Sequence, residues 1–193
     1  MAFNPGAGRL FVISGPSGAG KGTVIREVLR RKPGMVLSVS ATTRPARPHE
    51  RNGVDYRFIS VPQFLGMRDR GEFLESAEVY GNFYGTPRSP VDASIAGGKS
   101  VILELDIQGA LSVKRGKPDA VLIFIEPPSL DELFLRLRGR GTEETENLSE
   151  RMRAAYEELK NKGIYDHIVI NDDLGRATDE LVRIIEEKER NAR

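Results

Sequence analysis

The chain has 193 residues, with 29 Lys and Arg against 28 Asp and Glu, a formal net charge of +1 and no cysteine. That length suits one domain with small insertions and is enough to bury a core. The even charge excludes a global attraction to nucleic acid or to an anionic membrane, and the missing cysteines exclude disulfides, thiolate metal sites and thiol nucleophiles.

The opening MAFNPGAG (1–8) has neither the basic nor the apolar region of a signal peptide and reads as a disordered lead-in. Leu10–Ile13 is a short apolar run that predicts a buried strand over 10–14, and a helix is expected over 21–31. Between them lie Gly15, Pro16, Ser17, Gly18, Ala19, Gly20, Lys21, Gly22 and Thr23, in which Gly15, Gly20 and Lys21 fit the G-x-x-x-x-G-K core of a phosphate-binding loop. Glycines let backbone N–H groups face an anion, the helix N-terminus adds its positive end, and Lys21 reaches the β- and γ-phosphates of a nucleotide. The bland alternative is a glycine-rich turn joining a strand to a helix. One departure stands out: the position after the lysine is usually Ser or Thr, whose hydroxyl ligates Mg²⁺, but here it is Gly22, with the hydroxyl one residue later at Thr23.

Further along, apolar runs alternate with helical patterns, which predicts an α/β fold around a mostly parallel sheet. Strands are expected at 36–39, 101–106, 121–126 and 168–171, and helices at 61–70, 88–97, 108–115, 129–138, 148–161 and 175–189. The longest strongly apolar stretch, Val121–Ile125, is far too short to cross a bilayer. Ser129 and Glu132 form a candidate capping box after Pro127-Pro128. Residues 41–86 break the alternation with β-like pieces at 56–59, 73–77 and 79–80, and read as a small sheet-rich insertion. Residues 139–147, GRGTEETEN, have the composition of a mobile loop. Within the insertion, Arg44 and Arg47 sit among Ser40, Thr42, Thr43 and Tyr56, a set suited to capturing a phosphate or carboxylate; taken alone, such arginines are equally a solvated surface. His49 and His167, the two histidines, read as surface or structural.

The pattern S-x-T-T-R-x-x-R-x-x-E-x-N-G-x-D-Y-x-F from Ser40 to Phe58 resembles the signature of guanylate kinases. The resemblance continues as FLESAEVYGNFYGT (73–86), LELDIQG (103–109), IEPPS (125–129), LRGRGTEET (137–145) and VINDDL (169–174), and covers about residues 9 to 188. It implies a P-loop NTPase three-layer core (9–40, 87–138 and 152–193), a GMP-binding insertion (41–86) and a lid (139–151), with ATP as donor, Mg²⁺ as cofactor and GMP as acceptor. Adenylate kinases carry the same G-K-G-T variant of the loop. By resemblance, Ser40, Arg44, Arg47, Tyr56 and Tyr84 hold the acceptor phosphate, while Glu75, Thr86 and Asp106 read the guanine. Guanine offers N1–H and N2–H₂ donors on one edge and a carboxylate accepts from both; adenine lacks them, and unpaired buried polar groups are how a site rejects an analogue. Without the family pattern, Glu75 is a solvated strand carboxylate and Tyr84 a core aromatic.

By the same resemblance, Lys21, Arg44, Arg136, Arg140 and Arg151 are expected to supply the cations that phosphoryl transfer requires, although Arg136 and Arg140, four apart, are also compatible with a charged helix face. Asp106, at the end of the expected strand 101–106, is placed to hold Mg²⁺ through water; Glu104 lies nearby. Asn171 matches a position near the adenine of ATP, and the Asn and Asp residues of its turn are also candidate caps for the last helix. Two other readings compete: a sister kinase acting on a ribose phosphate, which has no reason to keep Glu75, Thr86 and Asp106, and a non-catalytic binding module, which has no reason to keep Lys21 and the arginines. A cytoplasmic enzyme of purine nucleotide metabolism is the expectation, without nucleic-acid or membrane partners.

Overall fold

The computed structural model describes residues 8–138 and 145–190; all but the last residue of the expected lead-in and residues 139–144 of the expected lid, Arg140 among them, lie outside these. Five strands, β1 (Leu10–Ser14), β2 (Val36–Leu37), β7 (Val101–Glu104), β8 (Val121–Glu126) and β9 (His167–Ile170), form a parallel sheet in the order β2-β7-β1-β8-β9. β1 sits in the middle, with Val12 opposite Leu103 on one side and Leu122 on the other. Its five residues are all buried, as expected of a strand covered on both faces.

Alternate residues of these strands feed two cores. Phe11, Ile13, Ile102, Ile123 and Ile125 pack with Val24, Ile25 and Val28 of α1 (Lys21–Arg31) and with Leu181, Ile184 and Ile185 of α7 (Leu174–Arg190). Leu10, Val12, Val101, Leu103, Leu122 and Phe124 face the other way, onto Val91 of α3 (Arg88–Ala96), Ala110 and Val113 of α4 (Ile107–Gly116), and Tyr165. Helices therefore cover both faces, the expected three-layer arrangement. Leu133 and Leu137 of α5 (Leu130–Arg138) pack with Ala155 of α6 (Thr145–Lys160) in a satellite cluster.

The second sheet is built between residues 41 and 87, in the order β4-β3-β6-β5, from β3 (Ala41–Thr42), β4 (Arg57–Phe58), β5 (Phe73–Val79) and β6 (Asn82–Pro87). β5 and β6 are a hairpin whose turn residues Tyr80 and Gly81 both have positive φ, 49° and 74°, the conformation that matches strand twist in a two-residue loop. The pieces expected at 73–77 and 79–80 are thus one strand plus the first turn residue. α2 (Val61–Asp69) starts at a capping box between Ser60 and Gln63 and sends Phe64 between Phe73 and Phe83, at ring-centroid distances of 4.5 and 5.4 Å.

Three boundaries of the core strands and helices differ from the sequence expectation by two residues or more. The strand expected at 36–39 ends at Leu37. The one expected at 101–106 ends at Glu104, because Asp106 turns out of the sheet to cap α4, its Oδ1 accepting from the Gly109 N–H at 2.8 Å. α6 begins at Thr145, inside the stretch read as loop. At α5 the Glu132 N–H donates to Ser129 Oγ at 3.1 Å, while the Glu132 carboxylate is turned to Arg136.

Candidate active site

The phosphate loop leaves the central strand where β1 ends and closes where α1 begins. Gly15 has φ +144° and runs so close to β8 that a Cβ would stand 2.0 Å from the Ile125 carbonyl oxygen. Gly20, the N-cap of α1, has φ +88°, and a Cβ there would stand 2.3 Å from Asn171 Nδ2. Only glycine meets both demands. No side chain caps α1 at Gly20, which leaves the positive end of the helix open to an anion. Lys21 Nζ donates to the carbonyls of Gly15 and, at 3.1 Å, Pro16. Asn171, buried after β9, donates to the Ala19 carbonyl at 2.7 Å and ties the last core strand to the loop. The cap of α7 is Asp173, whose Oδ1 accepts from the Arg176 N–H at 2.9 Å.

Arginines approach this loop from two helices. Arg136 on α5 donates to the Asn171 carbonyl at 3.0 Å and to Glu132 at 2.9 Å. Arg151 on α6 donates to Ser17 Oγ at 3.3 Å.

A cleft of about 620 Å³ opens in front of the loop, lined by Gly15, Ser17, Gly18, Gly20, Lys21, Gly22, Thr23, Ser40, Tyr56, Glu104, Asp106 and Glu158. A second hollow of about 210 Å³ is lined by Ser40, Tyr56, Glu75, Tyr84, Glu104 and Asp106. Ser40, Tyr56, Glu104 and Asp106 border both, so the phosphate loop and the acidic hollow are two ends of one site. Thr86, which does not itself line the hollow, donates through Oγ1 to Glu75 Oε1 at 2.6 Å, with both residues buried. Burial drives the Glu75 pKa upward, the Asp106 charge pushes the same way, and the Thr86 hydrogen bond partly opposes them. Burial also raises the Tyr56 hydroxyl.

Arg44 borders the site without lining either hollow: its guanidinium lies 5.0 Å from the Tyr56 ring centroid and is paired with Glu50. Arg47 is exposed on the same loop, and its backbone N–H donates to Glu50 at 2.9 Å. His49 is exposed and His167 sits half-buried on β9, so neither reaches the cleft. Glu50 and Glu158, both at the site, are among the residues the sequence did not single out. Glu50 follows Arg47 by three in the same motif. Glu158 lies seven residues, two helical turns, after Arg151 on α6; burial raises its carboxyl and Lys21 partly offsets this. Among the described residues no group of three or more Asp, Glu, His or Cys is arranged to hold a metal ion. Glu104 and Asp106 do set two carboxylates at the mouth of the phosphate loop.

A phosphate-binding loop on the central strand, continuous with a second pocket lined by carboxylates, is the arrangement of a nucleoside monophosphate kinase. The guanylate kinase family model matches residues 7–188. The chain is 49% identical over 178 residues to the guanylate kinase of Carboxydothermus hydrogenoformans, covering 92% of this chain and 87% of that one. It is likewise 49% identical to that of Thermotoga maritima, with 92% and 86% covered. The crystal structure of guanylate kinase from Anaplasma phagocytophilum superposes with a TM-score of 0.77 at 34% identity, covering 95% of this chain and 87% of that one. The chain belongs to the guanylate kinase family. That family uses GMP and ATP, the latter as phosphoryl donor. No helix among the described residues is long and apolar enough to cross a membrane.

Proposed function

We propose that this protein transfers the γ-phosphoryl group of ATP to GMP, and to dGMP, in the Mg²⁺-dependent step that converts the monophosphate to the diphosphate in cytoplasmic purine nucleotide metabolism. The observation that carries this reading is the buried Glu75–Thr86 pair, set beside Asp106 in a hollow continuous with the phosphate loop. Two neighbouring carboxylates are mutually repelled and desolvated, and a base edge with N1–H and N2–H₂ donors relieves both costs. None of the residues assigned here to GMP is assigned to its sugar, which is why dGMP is included.

Residues 15–23 cradle the ATP phosphates. Lys21 exchanges its two carbonyl partners for phosphate oxygens, and Asn171 holds the loop on its adenine side. Ser40, Arg44, Arg47, Tyr56 and Tyr84 take the acceptor phosphate, Glu75, Thr86 and Asp106 the base. An oxygen of the GMP phosphate attacks the γ-phosphorus in line as the bond to the bridging oxygen of ADP breaks. That nucleophile is already ionised near neutrality, its second pKa being about 6, so no general base is assigned. Arg136 and Arg151 stand beside the loop to neutralise charge on the transferring group, and family resemblance alone adds Arg140, within the proposed lid 139–151. The proposed acceptor-binding insertion spans 41–86. Glu104 and Asp106, beside the open space at Gly22, would hold Mg²⁺ through water, and the bound ion would supply positive charge to the transferring phosphates.

The test is product identity. Purified protein given ATP, Mg²⁺ and GMP is expected to yield ADP and GDP in equal amounts by anion-exchange chromatography. ADP without GDP, or phosphorylation of a sugar phosphate instead, would overturn the reading.

A further inference from the structure

Glu50 lies on the loop between β3 and β4, and its carboxylate accepts three hydrogen bonds. Arg44 Nη1 and Nη2 donate to Oε2 and Oε1, each at 2.6 Å, and the Arg47 N–H donates to Oε2 at 2.9 Å. Arg44 Nη1 also donates to the Pro45 carbonyl at 2.9 Å. The Glu50 N–H returns to the Arg47 carbonyl at 3.0 Å, so the carboxylate is fixed by its own turn. The Arg44 and Glu50 side chains are only 14% and 11% exposed, which sets the pair apart from solvated surface bridges of little worth. The Arg44 and Arg47 donors hold the Glu50 carboxyl down to about 2, and Glu50 pushes the Arg44 guanidinium up.

A guanidinium has two bidentate edges: the end-on edge, Nη1 with Nη2, and the side-on edge, Nε with Nη2. Glu50 fills the first. The ring faces of Tyr56 and Phe58, at 5.0 and 5.6 Å from the guanidinium carbon, restrict rotation of the plane. Tyr56 and Tyr84, whose rings meet edge-on at 6.1 Å, both line the acceptor hollow beside it. For an anion held beside Tyr56 and Tyr84, the side-on edge is the bidentate fork that Glu50 leaves unfilled. Taking the end-on edge instead would evict Glu50 and leave a largely enclosed carboxylate with the Arg47 N–H but without its counter-charge.

We propose that Glu50 is a positioning residue for the acceptor phosphate: by holding the end-on edge of Arg44, it commits the Nε–Nη2 edge to the anion. This rests on the reading of the hollow as the GMP site. Glu50 touches no substrate and acts through Arg44.

The experiment is calorimetric titration of the unaltered protein and of Glu50→Gln with GMP and with guanosine, which lacks the phosphate, alongside KM for ATP and the melting temperature. Glu50→Gln is expected to weaken GMP about ten-fold or more, the scale of one lost charge-assisted hydrogen bond. Guanosine affinity and KM for ATP are expected to hold. In an Arg44→Lys background, where neither edge exists, Glu50→Gln is expected to add little further loss. Should Glu50→Gln not fold, Glu50→Asp, which keeps the charge but shortens the reach, is expected to show the same selective loss of GMP. Equal weakening of GMP and guanosine would make Glu50 a mere loop support and overturn the proposal, as would unchanged or tighter GMP binding. An unaltered protein that binds no GMP overturns the functional reading, and the inference with it.

Discussion

Glu75→Gln separates base recognition from every other role of the cleft. Glu75 is 9% exposed on β5, with Oε1 fixed by Thr86 and Oε2 turned toward Gly109 at the start of α4. Glutamine keeps the Thr86 contact and the volume but places an NH₂ where the second acceptor stood, facing a guanine donor. Two hydrogen bonds to a charged acceptor, about 1.5–3 kcal/mol each, are exchanged for no more than one neutral one. Relief of the buried charge returns part of this, which leaves about 3 kcal/mol, or roughly a hundred-fold in kcat/KM for GMP. Rejection of AMP should weaken in the same variant. The pH dependence has a defined sign. The Glu75 carboxyl titrates above its ordinary 4.5 in the folded protein, so the native state keeps a proton that the unfolded chain has lost. Stability is then greatest below 4.5 and declines as pH rises toward the raised folded value, whereas the Gln variant lacks that decline. Guanosine affinity should rise with pH over the same window, since the base binds the carboxylate. Steady-state kinetics with GMP and AMP, chemical denaturation across pH and guanosine titration read these quantities. Unchanged kcat/KM for GMP, with the protein folded, would refute the assignment of Glu75 to the base.

Three further outcomes are expected. Lys21→Ala should lower kcat by about 10²–10³, as for loss of one preorganised charge donor, with little change in melting temperature; a full kcat would remove Lys21 from the transfer step. Asn171→Ala leaves the buried Ala19 carbonyl without its 2.7 Å donor, so stability should fall by about 1–3 kcal/mol and KM for ATP should rise more than KM for GMP, measured by thermal melts and kinetics. Gly22→Ser should not lower the melting temperature, because a Cβ there meets only Glu104 Oε2, at 4.0 Å; the added hydroxyl should lower the Mg²⁺ concentration for half-maximal rate, and an unchanged Mg²⁺ requirement would argue against a metal beside this position.

The central strand, the phosphate loop and α1 were legible in the sequence because their determinants are local: a continuous apolar run, glycines where φ is positive or backbones nearly touch, and a lysine at fixed spacing. The central strands β1, β7 and β8 were legible for a related reason, since strands buried on both faces read as unbroken apolar runs. The insertion was harder. β3 and β4 are two residues each and exist only through pairing with partners far along the chain. β6 carries Asn82, Gly85 and Pro87, which weaken any strand pattern. Asp106 was misplaced because an apolar run ending in Asp looks the same whether the carboxylate closes a strand or caps the next helix. The charges at the site divide in the same way. Glu75 and Arg44 stand in long motifs, whereas Glu158 joins the cleft only because α6 folds back over the loop, and the grip of Glu50 on Arg44 is a matter of side-chain geometry.

The most direct test of the account is the acceptor specificity of the unaltered protein, measured as kcat/KM with ATP and Mg²⁺ for GMP, AMP, UMP and ribose bisphosphate in one ADP-release assay. A site that reads guanine through Glu75, Thr86 and Asp106 predicts turnover confined to GMP, with dGMP also accepted when added. Comparable turnover of AMP or UMP, or preference for the sugar phosphate, would contradict it.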